Sequence, residues 1–197
     1  MPDAPTKPEG LRERKRRQTL QRISEVGLEL FLAKGYEATT LDEIAAAAGI
    51  SRRTFFYYFE SKDDILRAYV SGYADALKAL VVESASAGAP LDIVLDAVLK
   101  LVARYRESQM IATARLMRQS DALRPRNHGR SPRLEQAVYE GLCELWPRKE
   151  NHDRWRLIAM VSMGALSLAV DAWFEQDGKR PLAKYVREVF KRLKTEI

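Results

Sequence analysis

Cysteine and histidine are nearly missing from this 197-residue chain: Cys143 stands alone, and His128 and His152 are the two imidazoles. A lone cysteine excludes an intramolecular disulfide and a cysteine-based metal site. Neither histidine has Cys, Asp or Glu at convincing ligand spacing, so no metal and no cofactor are expected. Nucleophile elbows of the G-x-S-x-G type and phosphate-cradling glycine loops are also missing, and catalysis is not expected. The stretch from Met1 to Gly10 is polar and proline-containing and leads into no apolar run, unlike a secretory signal. The longest uncharged run, Leu157 to Val170, spans 14 residues, short of the roughly 20 that cross a bilayer. Together these absences predict a soluble, cytoplasmic chain with no membrane partner, in which that run is a buried helix. Alternation of period two is missing as well, which argues against a sheet.

What is present is helical periodicity, in a chain whose 46% hydrophobic content suffices for a core. Leu20, Ile23, Val26, Leu30 and Phe31 form one stripe at spacings of three and four, closed by Gly35 at the expected C-cap position. Ile65, Tyr69, Tyr73, Leu77, Leu80 and Val81 form a second; Leu91, Val94, Leu95, Val98, Val102 and Tyr105 form a third, entered through Pro90. Ile111 to Met117 is a further apolar stretch, and Asp121 to Pro132 reads as a loop. Ser131-Pro132 opens a helix running to Trp146, and Asn151 is the expected cap of the apolar helix that ends near Gly178. The last helix starts at Pro181, with Leu182, Tyr185, Val186, Val189, Phe190 and Leu193 on one face. The expectation is all-α, with about nine helices and no strands.

Charge is a weaker guide. The net charge of +6 suggests an anionic partner, yet residues 1–70 hold 12 basic and 11 acidic side chains. Local clusters must carry the argument: Arg12, Arg14, Lys15, Arg16 and Arg17 form one, and Arg52, Arg53 and Lys62 another. A solvated face is the bland alternative for each.

The informative stretch is TTLDEIAAAAGISRRTFFYYFESKDDIL, residues 39–66. Thr40 and Glu43 make the T-x-x-E capping box of a short helix. Gly49 supplies the positive φ of a tight turn, and Ser51 can cap the next helix at once. Ser61 with Asp64 offers a related cap for a third helix. Ala45 and Ala48 are small where two closely crossing helices touch, while Ile44, Ile50, Phe55 and Phe59 are spaced to fill the core between them. Two helices joined by a short glycine-containing turn form the helix-turn-helix unit, here about residues 41–60. Arg52, Arg53, Thr54 and Tyr57 are left on the outer face or at the N-terminal end of the second helix, from which base edges are reached. Arginine can donate two hydrogen bonds to guanine, and Thr40 and Lys62 at flanking helix starts suit phosphate.

These residues resemble the tetracycline-repressor (TetR) family of bacterial regulators. The resemblance covers about residues 16–66: a first helix ending F-x-x-K-G-Y (Phe31, Lys34, Gly35, Tyr36), then T-T-x-x-x-I-A-x-x-A-G-I-S from Thr39 to Ser51, then T-F-x-Y-Y-F-x-S-K-x-x-I-L from Thr54 to Leu66. It implies an N-terminal three-helix, homeodomain-like DNA-binding module followed by a helical domain that dimerises and takes a small-molecule effector. The expected organisation is a flexible arm at 1–11, the DNA-binding domain at 12–63 and the ligand-binding and dimerisation domain at 64–197. By position, Thr40, Tyr57, Tyr58 and Lys62 would hold phosphates and Arg52, Arg53 and Thr54 would face bases. Arg17 and the basic cluster around it would run along the DNA backbone or enter a minor groove, the backbone role being favoured. Two departures stand out: Arg53 replaces a common glycine, offering an extra base or phosphate contact, and Phe56 replaces a common tyrosine, removing a hydroxyl.

The C-terminal part is less specific. Gly164, Ala165 and Leu168, with Val186 and Phe190 of the last helix, are the expected interface of a two-fold homodimer. Tyr73, Tyr105, Met110, Met117, Met163 and Trp173 are candidates to line an effector cavity, although such residues at helical spacing are more often plain core. Arg115 could pair with an anionic ligand or with Asp171. The leading expectation is a repressor released from a palindromic operator on double-stranded DNA by its effector. Its alternatives are a sequence-tolerant architectural DNA-binding protein and a helical small-molecule-binding or interaction protein.

Overall fold

The computed structural model describes residues 10–104, 107, 110–113, 116 and 132–196. Among them no strand occurs. The helices are α1 (Leu11–Lys34), α2 (Leu41–Ala47), α3 (Arg52–Tyr58), α4 (Lys62–Glu83), α5 (Pro90–Ala103), α6 (Pro132–Leu145), α7 (His152–Glu175) and α8 (Leu182–Glu196). Residues 110–113 are helical as well. Two compact units divide between Tyr69 and Val70, so the boundary falls inside α4.

The first unit is built around Ile23, Leu28, Phe31, Ile44, Phe55, Phe59, Ile65 and Leu66, all buried. The buried face of α1 overlaps the expected one but is rotated from it. Ser24, Gly27 and Leu28 join Ile23 and Phe31 inside, while Leu20, Val26 and Leu30 are only half-buried. The physical reason is closeness of approach. A Cβ added to Gly27 would stand 2.7 Å from Ile65 Cγ2, so α1 and α4 meet where there is no side chain to hold them apart. Ser24 is tolerated inside because its hydroxyl donates to the Leu20 carbonyl at 2.8 Å. Gly35 has φ +93, and its N–H bonds the Phe31 carbonyl at 3.0 Å, which stops α1.

The second unit packs α5, α6, α7 and α8 around Leu80, Val98, Val138, Leu142, Trp155, Met163, Trp173, Tyr185 and Phe190. Pro90 opens α5 in its first turn. A Cβ on Gly141 would lie 2.9 Å from Val81, so α6 too seats a glycine against α4. The cap expected at Asn151 does not form: that residue ends a 3-10 turn, Lys149–Asn151, and its side chain makes no cap bond. The expected loop at 121–131 and the Ser131 cap lie outside the described residues. The segment Lys149–Glu175 is long and apolar enough to cross a membrane by length and composition alone. Trp155, Ala159, Met163, Ala169 and Trp173 place one side of α7 in the unit's own core, but Leu157, Met160 and Leu168 are exposed, so the run expected to be a buried helix is buried on one side only.

Candidate nucleic-acid interface

Local hydrogen bonding sets the two short helices. Thr40 is extended (φ −100, ψ 154) and its hydroxyl accepts from the Glu43 N–H at 3.2 Å. The Glu43 carboxylate in turn accepts from the Thr40 N–H at 2.9 Å, completing the capping box. Lys34, at the end of α1, donates to the same carboxylate at 2.6 Å. That ammonium first, and then the Thr40 N–H and hydroxyl, pull the Glu43 pKa down to about 2. After α2 the backbone turns at Gly49 (φ +70), with the Ile50 N–H on the Ala45 carbonyl at 3.1 Å. Ser51 then caps α3, accepting from the Thr54 N–H at 3.0 Å.

Phe55 and Phe59 anchor α3 in the core, and this fixes which side faces out. Arg52, Arg53, Thr54 and Tyr57 are all exposed, Tyr57 to 73%, and Tyr58 is half-buried against it with ring centres 5.1 Å apart. The two arginines differ. Arg52 Nε lies 3.2 Å from the Asp42 carboxylate of α2, and its guanidinium sits 5.6 Å from the centre of the Phe56 ring. Arg53 makes no ion pair or hydrogen bond among the described residues. Phe56, 43% exposed, therefore props an arginine where a tyrosine would offer a hydroxyl. The Thr54 hydroxyl is 2.8 Å from that of Ser51.

Two of the expected phosphate ligands have other work within the unit. The Thr40 hydroxyl is engaged in the capping box. Lys62, the first residue of α4, folds back so that Nζ donates to the Tyr36 carbonyl at 2.7 Å and sits 4.6 Å from the centre of the Tyr36 ring. The placement at a helix start is as expected, but the ammonium is turned onto the carbonyls that follow α1, with its side chain only 22% exposed. The neighbouring Tyr36 hydroxyl donates to Asp63 at 2.6 Å. Burial, and then this bond, push the Tyr36 pKa above the usual tyrosine range. Tyr36 and Asp63 were not among the candidates; their only sequence signal is the K-G-Y that closes α1. Arg17 is exposed in the early turns of α1.

In the second unit, Met163 and Trp173 are buried, Tyr73 and Met110 are half-buried, and Tyr105, Arg115 and Met117 lie outside the described residues. Thr113 and Ser162, which the sequence did not single out, share an unusual condition with Trp173. Among the described residues, the Thr113 and Ser162 hydroxyls and the Trp173 indole N–H are buried with no hydrogen-bond partner. Leaving such groups unpaired costs about 1–3 kcal/mol each. Among the expected dimer residues, Val186 and Phe190 are fully buried within the single chain and Ala165 is 5% exposed. Their side chains belong to the unit's own core, because the apolar stripe of α8 packs inward on α5 and α7. Leu168 is 64% exposed, and Gly164 has open space around it. Leu157 and Met160 share that outward side of α7 at 59% and 39% exposure. No cluster of potential metal ligands occurs among the described residues.

The model of bacterial regulatory proteins of the tetR family matches residues 23–69, and that of the MftR C-terminal domain matches residues 88–197. The chain is 36% identical over 101 residues to the HTH-type transcriptional regulator TcmR of Streptomyces glaucescens, a match covering 51% of this chain and 45% of TcmR. It is 36% identical over 105 residues to MftR of Mycobacterium tuberculosis, provisionally described as a mycofactocin biosynthesis transcriptional regulator. That match covers 53% of this chain and 52% of MftR, so the chain spans about half the length of these relatives. Among solved structures, a transcriptional regulator of Aquifex aeolicus superposes with a TM-score of 0.57 at 20% identity, over 91% of this chain and 99% of that one. FadR of Thermus thermophilus, a TetR-family repressor solved with lauroyl-CoA, gives 0.57 at 23% identity, over 87% and 91%. Both structural likenesses speak to fold alone.

Proposed function

The chain belongs to the tetR family of bacterial regulatory proteins, and from this we propose that it is a DNA-binding transcriptional repressor acting as a homodimer on a palindromic operator. The observation that carries the proposal is the outer face of α3. A helix capped by Ser51 and pinned by Phe55 and Phe59 presents Arg52, Arg53, Thr54 and Tyr57 to solvent. A preset helix that offers two guanidiniums at its start is suited to a major groove. Arg53 is the principal base reader, Arg52 is held in place by Asp42 and Phe56, and Tyr57 and Tyr58 serve the phosphates. Thr40 and Lys62 contribute chiefly by holding α2 and α4 in register, and to phosphate by helix-start proximity.

In this reading residues 12–63 read the operator and 64–197 dimerise and take a small-molecule effector. Leu157, Met160, Gly164 and Leu168 form the self-complementary face, since an apolar helix side left open in one chain suits a second copy. The unpaired Thr113, Ser162 and Trp173 polar atoms support an effector site in the second unit, where a ligand could satisfy them. Effector binding then lowers DNA affinity by favouring a dimer whose α3 helices are wrongly spaced.

Selection of bound fragments from genomic DNA tests the proposal. A recovered palindrome, with Arg53→Ala weakening operator binding by about 1–3 kcal/mol and relaxing one position of the motif, supports it. Recovery of fragments with no shared motif overturns it in favour of sequence-tolerant binding, and no DNA bound at all points to a helical interaction protein.

A further inference from the structure

An acid stands on the face that the proposed contact turns to DNA. Asp42, in the first turn of α2, has a side chain 59% exposed, and its carboxylate lies 3.2 Å from Nε of Arg52, the first residue of α3. The fold has little use for it. An ion pair this exposed adds at most about 1 kcal/mol to stability. The peptide dipoles of α2 favour an acid in the first turn by a similar amount, and Glu43 already supplies one while closing the capping box. On a face that meets phosphates a carboxylate also lowers affinity, so neither stability nor affinity explains its place.

What Asp42 touches does. Phe56 lies one turn after Arg52 on the same side of α3, with the centre of its ring 5.6 Å from the Arg52 guanidinium. That ring meets the ring of Phe55 edge-on at 5.6 Å between centres, and Phe55 is fully buried. The guanidinium is thus held from two sides, by a charge at Nε and by a ring that is itself anchored in the core. An arginine already held loses less freedom on settling against a base than one that is free. It can meet guanine O6 and N7 with its two Nη groups, so Nε can stay with Asp42 while the forked end reads.

We infer that Asp42 and Phe56 are positioning residues that set base specificity through Arg52. They keep its guanidinium in a pose suited to a guanine edge, and the Asp42 charge competes with phosphates for it. The inference rests on the DNA-binding reading above and adds to it two residues that need touch no base. Asp42 raises selectivity while lowering affinity for DNA in general.

The test uses the full chain and the operator selected with it. The position at which Arg52→Ala loses a preference for guanine marks the base concerned, and discrimination is the ratio of Kd for a duplex substituted there to Kd for the operator. Preordering one long side chain is worth about 2- to 12-fold, so Asp42→Ala should lower discrimination by about that factor per half-site. The preference read by Arg53 should be unchanged, and melting should move by no more than about 4 °C. On a random duplex Asp42→Ala should bind no more weakly than the parent. Its freed Arg52 should steepen the slope of log K against log salt by up to about 1.8 per dimer, and the steepening should vanish in an Arg52→Ala background. Phe56→Leu should lower discrimination, whereas Phe56→Tyr keeps the ring and so the discrimination, whatever its hydroxyl adds to affinity. Asp42→Asn, which removes the charge but keeps an acceptor of the same shape, should give a smaller loss and serves if Asp42→Ala folds poorly. Three outcomes overturn the inference and leave the operator reading intact: no guanine preference lost in Arg52→Ala, discrimination unchanged in Asp42→Ala and Asp42→Asn, or equal weakening on both duplexes with unchanged melting. Selection of no motif by the parent overturns both.

Discussion

Replacing Gly27 by alanine sets packing against helix propensity, which predict opposite signs. Inside a helix, alanine is favoured over glycine by about 1 kcal/mol. At this position of α1, however, a Cβ would stand 2.7 Å from Ile65 Cγ2 and 3.6 Å from Ile44 Cγ2. The Ile65 methyl hangs directly from the β-carbon of a fully buried side chain, so it cannot swing aside like the tip of a lysine. Overpacking of this kind costs about 1–3 kcal/mol. After the propensity gain, a net destabilisation of about 1 kcal/mol is expected, or roughly 2–4 °C in Tm for a chain of this size. Thermal and urea unfolding of the full chain, followed by circular dichroism, measures it. Ile65→Leu moves the branch away from the β-carbon, so in that background Gly27→Ala should become neutral or stabilising. The coupling between the two sites should be about 1 kcal/mol. A higher Tm for Gly27→Ala alone, or the same loss in both backgrounds, refutes the close approach of α1 and α4.

Acid should loosen the capping box. The folded Glu43 pKa is about 2 against an ordinary 4.5, so its contribution is complete above the unfolded value and is lost as pH falls from about 4.5 through about 2. Unfolding curves of the parent should converge on those of Glu43→Gln over that interval; a constant gap between them counts against the box. Leu168→Glu on the exposed side of α7 should convert dimer to monomer in sedimentation while helicity is retained, and a persistent dimer would exclude that face. Phe190→Ala should instead lower stability by about 3–5 kcal/mol, as expected of a core ring, with association affected only through unfolding.

How much could be read in advance depended on the distance over which each feature is decided. Thr40 with Glu43, Gly49, and Ser51 with Thr54 were legible because each bond closes within three residues and each residue type has one stereochemical reason to be there. Lys62 was not, since the carbonyl that receives its ammonium lies 26 residues away in sequence. The α1 stripe was drawn from apolar side chains, yet Gly27 is buried for having none and Ser24 because it bonds its own helix. Val186 and Phe190 show a further limit. Periodicity says that a side of α8 is covered, and only the packed chain says that its own helices do the covering. The pairing of Arg52 with Asp42, across the α2–α3 turn, likewise needed the turn's geometry.

The same distinction resolves the charge balance. Residues 1–70 hold 12 basic and 11 acidic side chains, which by itself argues against an anionic partner. The structure shows where the acids are used. Glu43 holds Lys34 and the α2 cap, Asp42 holds Arg52, Asp63 holds Tyr36, and Asp64 caps α4 and binds Arg67. These carboxylates tie helices together at short range, and where the partner is a cation, as for Glu43, Asp42 and Asp64, each pair is nearly neutral at a distance. Glu25, Glu29, Glu37 and Glu60 stay exposed elsewhere, while the start of α3 with Arg53 and the first two turns of α1, where cations outnumber acids five to one, gather positive charge. A nearly neutral unit can thus present a positive face, as the proposed DNA contact requires. That arrangement also limits repulsion among its own cations, which a uniformly basic unit of this size would have to overcome.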